Sequence, residues 1–215
     1  MFYQPKLCLK TGQLLGMEAL LRWQHPEKGM IRPDQFISVA EETGLIVPIG
    51  KWVVRQACRM SKQLTAVGLG NLQVAINLSP KQFSDPDLVG SIAAILEEEH
   101  LPPELLELEL TEGLLLEATD GTRSQLNALK QLGLTLAMDD FGTGYSSLSY
   151  LKKFPIDVIK IDRSFIKDIP ENEDDMEITS AVIAMAHNLK LKVVAEGVET
   201  LSLIHISEPT RQEAI

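Results

Sequence analysis

A regular alternation of short apolar runs with amphipathic stretches constrains the fold of this chain more than any other feature. From residue 72 onward, runs rich in leucine and β-branched residues are followed by polar turns and by stretches of helical period, which is typical of strand–helix repeats. The runs cover residues 72–77, 105–110, 135–138, 158–161 and 192–195. Because these runs are almost continuously apolar, they predict a parallel sheet covered by helices and therefore an α/β fold.

Polar side chains stand at or beside the end of every run, and successive polar ends lie about 30 residues apart, the length of one strand–helix unit. They are Asn77, Glu109, Asp139 with Asp140, Lys160 and Glu196. In an open sheet such ends spread along a line, whereas in a closed barrel they surround one opening, where barrel enzymes place their chemistry. The pattern therefore favours a (β/α)8 TIM-type barrel.

Period-two alternation places most of these polar residues at the end of an inward-facing column. Asn77, Asp139 and Lys160 each share a strand face with the apolar residue two positions earlier. Glu107 shares a face with Glu109, and the pattern offers no partner for this second carboxylate.

The segment before the repeat predicts two strands and a helical region. Two apolar runs, residues 3–9 and 15–23, flank a polar turn, and residues 33–66 are rich in helix signals. We expect this helical region to break near Gly44 and Pro48. Since no linker separates it from the repeat, the sequence predicts a single domain.

The charge and the apolar pattern exclude several classes of partner. The net charge is −10, and the excess lies entirely in residues 101–215, which hold ten basic and twenty acidic residues. Because an acidic chain repels polyanions, a nucleic-acid duplex is not an expected partner. No apolar run approaches the ~18 residues of a membrane span, and we expect no secretory signal. With only two cysteines, a reduced cytoplasmic setting is expected, although membrane anchoring of a parent protein is left open.

The residue types at the strand ends indicate a site for divalent cations. Adding Glu18 from the second early run, the set comprises five carboxylates, one amide and one amine: Glu18, Glu109, Asp139, Asp140, Glu196, Asn77 and Lys160. Oxygen ligands of this kind suit Mg²⁺ or Mn²⁺. With the nearby Arg22 the formal charge is −3, and two divalent ions would change it to +1, which suits a phosphate ester. Two-metal hydrolysis of a phosphodiester is therefore the predicted chemistry.

An ordered series of motifs between residues 3 and 200 resembles the EAL domain family, bacterial phosphodiesterases that act on cyclic di-GMP. The series is Tyr3-Gln4-Pro5, Glu18-Ala19-Leu20 within residues 17–23, Asn77-Leu78-Ser79, Glu109-Leu110-Thr111-Glu112, the segment 139–148, Lys160-Ile161-Asp162 and Glu196-Gly197-Val198-Glu199-Thr200. The Glu-Ala-Leu triplet alone would be weak, but the ordered series is specific.

The resemblance implies a barrel whose first strand is antiparallel to the others, and it implies a role for each matching residue. Glu18, Asn77, Glu109 and Asp139 would ligate one Mg²⁺ or Mn²⁺ and Asp140 a second, while Glu196 and Lys160 would hold or deprotonate the attacking water. Arg22 would grip a substrate phosphate, Gln4 would face the ligand, and Glu112 would steady a loop over residues 141–148. The product would be linear pGpG. Ca²⁺, with its larger and looser shell, should inhibit turnover.

The resemblance leaves a second function open, namely a catalytically inactive EAL module that serves as a cyclic di-GMP receptor or a protein-interaction domain. Every family ligand before Thr200 is present, which favours the enzyme. The resemblance also implies upstream sensory or cyclase-like domains in a parent protein, and it leaves a homodimer open.

The sequence departs from the family pattern after Thr200. We count seven strands where the barrel needs eight, so we expect the last strand–helix unit to be missing. Residues 201–211 also back-translate plausibly into a transposase-type sequencing adaptor. The sequence therefore predicts a truncated EAL domain over residues 1–200 and a non-native-looking tail over residues 201–215.

Overall fold

The computed structural model describes residues 1–116, 119–142, 151, 153–169 and 172–198. The backbone forms two compact units, of which the first comprises Met1–Leu110 with Glu117–Leu136 and the second Thr111–Leu116 with Ala137–Ile215. The predicted tail, and residues 143–148 of the predicted loop, lie outside the described residues. The boundary between domain and tail stays a prediction.

Six strands belong to the first unit. In chain order they are β1 (Phe2–Leu7), β2 (Leu14–Leu20), β3 (Trp23–His25), β4 (Gly29–Ile31), β5 (Gln73–Asn77) and β6 (Leu106–Thr111). In the sheet the order is β1-β2-β5-β6, with β1 antiparallel to β2 and the later pairs parallel. The small pair β3 and β4 forms a separate antiparallel hairpin. The antiparallel first strand predicted from the resemblance is confirmed.

Helices follow the later strands, as the strand–helix repeat predicts. In chain order they are α1 (Pro33–Glu42), α2 (Ile46–Ala66), α3 (Pro80–Phe83), α4 (Leu88–Glu98), α5 (Glu112–Leu116), α6 (Asp120–Gln131) and α7 (Glu173–Asn188). The predicted break near Gly44 is confirmed, since α1 and α2 are separated at residues 43–45. A break at Pro48 is wrong, because Pro48 lies in the first turn of α2, where a missing N–H costs nothing. None of the described helices combines the length and apolar character needed to cross a bilayer.

Three parallel strands organise the second unit. They are β7 (Thr135–Phe141), whose residues from Ala137 onward belong to this unit, β8 (Val158–Ile161) and β9 (Lys192–Ala195), adjacent in that order. A single 3-10 turn, Arg163–Phe165, follows β8. Ile161, Ile166, Ile169 and Ile183 form an apolar cluster that α7 helps to cover.

Gly50 sets how α2 meets the short helix α3, which begins three residues after Asn77. A Cβ at Gly50 would lie 1.7 Å from Nε2 of Gln82, a buried side chain. Oε1 of Gln82 accepts a hydrogen bond from the Ser79 N–H at 3.2 Å, completing the capping box of α3. An alanine at Gly50 therefore displaces the amide that caps α3.

We expect Gly50→Ala to lower the free energy of unfolding by about 1–2 kcal/mol, because the cap is lost and a buried amide is displaced. Urea denaturation followed by circular dichroism measures this change. Gly121→Ala is the matched control, since it lies in α6 and a Cβ there would meet only Thr119 at an ordinary distance of 3.5 Å. Equal stability of the two variants would contradict the assignment to Gln82.

Candidate active site

Three predicted metal ligands lie on neighbouring strands of the first unit. Gln4 on β1 stands directly opposite Glu18 on β2, and Asn77 at the end of β5 pairs in register with Glu109 on β6. Nδ2 of Asn77 donates a hydrogen bond to Oε1 of Glu18 at 2.7 Å. The structure thus brings Glu18 and Asn77 into direct contact through their side chains.

Lys6 on β1 is a charged partner that sequence reasoning missed. Its Nζ lies 2.6 Å from Oε1 of Glu109 and 2.7 Å from Oε1 of Glu107, and both carboxylate side chains are almost fully buried. Burial lowers the pKa of Lys6, but the carboxylates of Glu109 and Glu107 raise it by more, so the net pKa is raised. This ion triad supplies the partner for Glu107 that alternation alone did not provide.

Period-two alternation along β1 could have identified Lys6 as a site residue. Lys6 shares a face of β1 with Gln4, two residues earlier, and Gln4 is already a predicted site residue. Two carboxylates on one face of a buried strand also require a cation, since a buried carboxylate is rarely left unpaired.

Arg22, the predicted phosphate-binding residue, is partly buried just after β2. Its Nη1 donates a hydrogen bond to the Leu21 carbonyl oxygen at 2.8 Å. The guanidinium carbon lies 5.9 Å from the ring centroid of Phe2, within the range of a cation–π contact. The role of Arg22 toward a phosphate, and that of the exposed Gln4 toward a ligand, stay predictions.

Four other predicted site residues meet in the second unit. Asp139, Asp140 and Glu196 can place one carboxylate oxygen each within 4.8 Å of the others. Nζ of Lys160 lies 3.0 Å from Oδ1 of Asp139 and 2.8 Å from Oε1 of Glu196, and the lysine side chain is only 1% exposed. The ends of β7, β8 and β9 therefore gather the residues that the sequence had separated by up to 57 positions.

A β-bulge explains how two consecutive aspartates join the same cluster. Met138 pairs with Ile159 and Phe141 with Ile161, so that Asp139 and Asp140 together oppose Lys160 alone. Asp140 adopts a left-handed conformation with φ of 55°, and its N–H donates to Oδ1 of Asp139 at 3.0 Å. Strict alternation would have turned the two side chains to opposite faces of β7.

Glu112, the predicted loop-stabilising residue, contacts the segment that follows β7. It is the first residue of α5 and is buried. Its Oε2 accepts a hydrogen bond from the Gly142 N–H at 3.1 Å. Glu112 thus holds the backbone at the start of the predicted loop, while its effect on the rest of that loop stays a prediction.

The chemistry of the cluster fits a hard divalent cation. Its donors are carboxylate oxygens, which Mg²⁺ and Mn²⁺ prefer to nitrogen or sulfur ligands. Three carboxylates and the Lys160 ammonium give a formal charge of −2, so one divalent ion would neutralise the group. Asp139 and Asp140 are the residues that would hold it.

Known proteins resemble this chain over almost its whole length. A family model described as EAL domain matches residues 1–207. The cyclic di-GMP phosphodiesterase NbdA of Pseudomonas aeruginosa is 48% identical, with 92% of this chain and 25% of NbdA covered. The cyclic di-GMP phosphodiesterase PdeR of Escherichia coli is 43% identical, with 92% of this chain and 30% of PdeR covered. The chain thus spans only about a quarter to a third of these curated relatives.

Solved structures also resemble this chain over most of its length. The PaMucR phosphodiesterase in complex with c-di-GMP is 45% identical and superimposes with a TM-score of 0.90, covering 95% of this chain and 83% of that one. The FimX EAL domain from Pseudomonas aeruginosa bound to c-di-GMP is 25% identical, with a TM-score of 0.85 and coverage of 95% and 81%. These matches confirm the predicted α/β fold class, a TIM-type barrel. The chain belongs to the EAL domain family.

Proposed function

We propose that this chain hydrolyses cyclic di-GMP to linear pGpG with the help of two divalent cations, Mg²⁺ or Mn²⁺. The observation that carries the proposal is the Lys160 ammonium group, buried and held 3.0 Å from Asp139 and 2.8 Å from Glu196 within a cluster of carboxylates. Support also comes from NbdA and PdeR, which are named cyclic di-GMP phosphodiesterases, and from PaMucR, solved with c-di-GMP.

Electrostatics explain why such a cluster needs cations before it accepts this substrate. Like charges about 5 Å apart repel by about 3 kcal/mol at an effective dielectric of ~20, so carboxylates alone would reject a phosphodiester. A bound divalent ion supplies positive charge for the phosphate and lowers the pKa of a water molecule. Asp139 and Asp140 would hold the cation, and the bulge of β7 keeps both carboxylates on one side.

Lys160 and Glu196 differ in exposure in a way that suits different tasks. The side chain of Glu196 is 30% exposed, against 1% for Lys160. Glu196 can therefore reach a solvent molecule and accept its proton, whereas the buried ammonium orients the carboxylates and balances their charge. Metal ligation by Glu18, Asn77 and Glu109, and phosphate binding by Arg22 and Gln4, belong to the same proposal.

One assay on two versions of the chain tests the function. We expect pGpG, detected by chromatography, to accumulate when cyclic di-GMP is added with Mg²⁺ or Mn²⁺, both for this chain and for a version extended by the C-terminal segment of PaMucR. If both versions bind cyclic di-GMP and neither releases pGpG, the proposed hydrolase is overturned and the receptor alternative is selected. A cytoplasmic location, upstream domains and a homodimer stay predictions.

The identity of the cation provides a separate prediction. We expect Ca²⁺ to support cyclic di-GMP binding but little or no pGpG release, because its longer and more variable ligand distances misplace the attacking water. Parallel turnover assays in Mg²⁺, Mn²⁺ and Ca²⁺ measure this difference, with calorimetric binding of cyclic di-GMP as the control. Equal turnover in Ca²⁺ and Mg²⁺ would contradict the two-metal arrangement.

A further inference from the structure

The motif at residues 160–162 contributes Lys160 to the proposed site but leaves Asp162 without a part in the chemistry. Asp162 begins the 3-10 turn after β8, where its Oδ1 accepts hydrogen bonds from the Ser164 N–H at 2.9 Å and from the Ser164 hydroxyl. Its carbonyl oxygen accepts from the Phe165 N–H at 3.1 Å. Hydrogen bonding from the Ser164 side chain is the main reason that the pKa of Asp162 is lowered. Residues 162–165 thus form a well-defined capped turn.

The capped turn contacts two glycines that stand beside the acid cluster. A Cβ at Gly142 would lie 2.8 Å from Cε2 of Phe165, and the three atoms nearest to that position all belong to Phe165. A Cβ at Gly197, which directly follows Glu196, would lie 2.4 Å from Cγ of Arg163. Both glycines have φ values, 101° and 73°, that side chains with a Cβ rarely adopt. One turn therefore abuts the backbone at the ends of both β7 and β9.

The ring and the backbone of Phe165 are both held in place by contacts within the second unit. Its ring packs against the apolar cluster of Ile161, Ile166, Ile169 and Ile183. Its carbonyl oxygen accepts a hydrogen bond at 3.3 Å from the hydroxyl of Thr179, a buried residue of α7. With the ring and the backbone both held, Phe165 presents a fixed surface to Gly142.

We propose that Phe165, held by the capped turn, is a positioning residue that fixes the Asp139–Asp140 bulge by packing against Gly142. The inference rests on the proposed function, since it concerns the same carboxylates. Gly142 follows Asp140 by two residues and is restrained on another side by the hydrogen bond to Glu112. Without the ring, the backbone at Gly142 can move. The carboxylates of Asp139 and Asp140 are then no longer held in fixed positions.

The test compares Phe165→Ala with Ile183→Ala, using Mn²⁺ alone as the probe and electron paramagnetic resonance to count bound ions. We expect Phe165→Ala to weaken Mn²⁺ binding by about 10–100-fold, as loss of a residue that supports metal ligands does. Ile183→Ala removes a side chain from the same apolar cluster on α7 and should keep wild-type Mn²⁺ affinity at an equal or greater loss of thermal stability. Phe165→Leu, which retains a side chain against Gly142, should recover most of the affinity.

The outcomes separate this inference from the proposed function. Phe165→Ala and Ile183→Ala with equal Mn²⁺ affinity would overturn the positioning role, whether or not the protein hydrolyses cyclic di-GMP. A wild-type protein that binds Mn²⁺ but releases no pGpG would overturn the proposed function, while a selective loss of Mn²⁺ affinity in Phe165→Ala would still support the positioning role. In an active protein, we also expect Phe165→Ala to lower kcat more than it raises KM.

Discussion

Asp139→Asn is expected to lower kcat/KM for cyclic di-GMP by more than about 100-fold, because loss of residues that merely support metal ligands already costs 10–100-fold and Asp139 is a predicted ligand. The substitution keeps the size of the side chain and its Oδ1, which accepts the Asp140 N–H at 3.0 Å. It removes the negative charge that faces Lys160 at 3.0 Å. Steady-state kinetics at saturating Mg²⁺ measure the loss.

The fold should survive this change, because the asparagine keeps the accepting oxygen and Lys160 keeps the carboxylate of Glu196 as a partner at 2.8 Å. We expect the melting temperature of Asp139→Asn to stay close to that of the wild type in the absence of cations. Asp168→Asn is the matched control, because Asp168 is exposed and pairs only loosely with Lys167 at 3.6 Å; its activity should be unchanged. Wild-type kcat/KM in Asp139→Asn would contradict the proposed site.

Lys6→Met is expected to lower the free energy of unfolding by about 3–5 kcal/mol, the usual cost of removing one partner from a buried ion pair. The Lys6 side chain is 17% exposed, whereas those of Glu109 and Glu107 are 0% and 6% exposed. Without the ammonium group, two buried carboxylates would face each other with no cation between them. Urea denaturation at neutral pH measures the change, and an unchanged m-value would locate it in the folded state.

Two further variants show whether charge is the cause. Lys6→Met combined with Glu107→Gln should recover part of the lost stability, since one of the two buried charges is then gone. Lys167→Met removes a lysine that is 53% exposed beside Asp168 and should cost less than about 1 kcal/mol, as exposed pairs do. Equal losses for Lys6→Met and Lys167→Met would argue against the ion triad.

Strand positions were predicted most closely for the two short strands β8 and β9. The bounds of β8 and β9 agree with the predicted runs 158–161 and 192–195. The run predicted at 135–138 ended too early, because an apolar criterion stops at Met138 while the backbone pairing of β7 continues to Phe141. Hydrogen bonding along a strand does not require apolar side chains. A search for apolar runs therefore misses a strand end that is polar.

The β-bulge and the ion triad are two features that side-chain alternation did not predict. Alternation predicted that Asp139 faces inward, but it separated Asp139 from Asp140, and the register shift of β7 against β8 reverses that separation. Alternation likewise left Glu107 without a partner. That partner is Lys6, which lies two positions after Gln4 on β1 and more than a hundred residues before Glu107 in the chain. Both facts depend on pairing between strands, which no single segment of sequence encodes.

The amino-acid sequence on its own therefore determined the family, the strand–helix repeat and the residue types available for a cation, and the resemblance to the family implied the antiparallel first strand. Those properties follow from side-chain periodicity and from ordered motifs, which act within short stretches of chain. Tertiary structure alone decided that Lys6 pairs with Glu107 and Glu109, that Asp139 and Asp140 both oppose Lys160, and that Phe165 abuts Gly142. These contacts join distant segments, and their energies depend on burial and ångström-scale distances that exist only after the chain has folded.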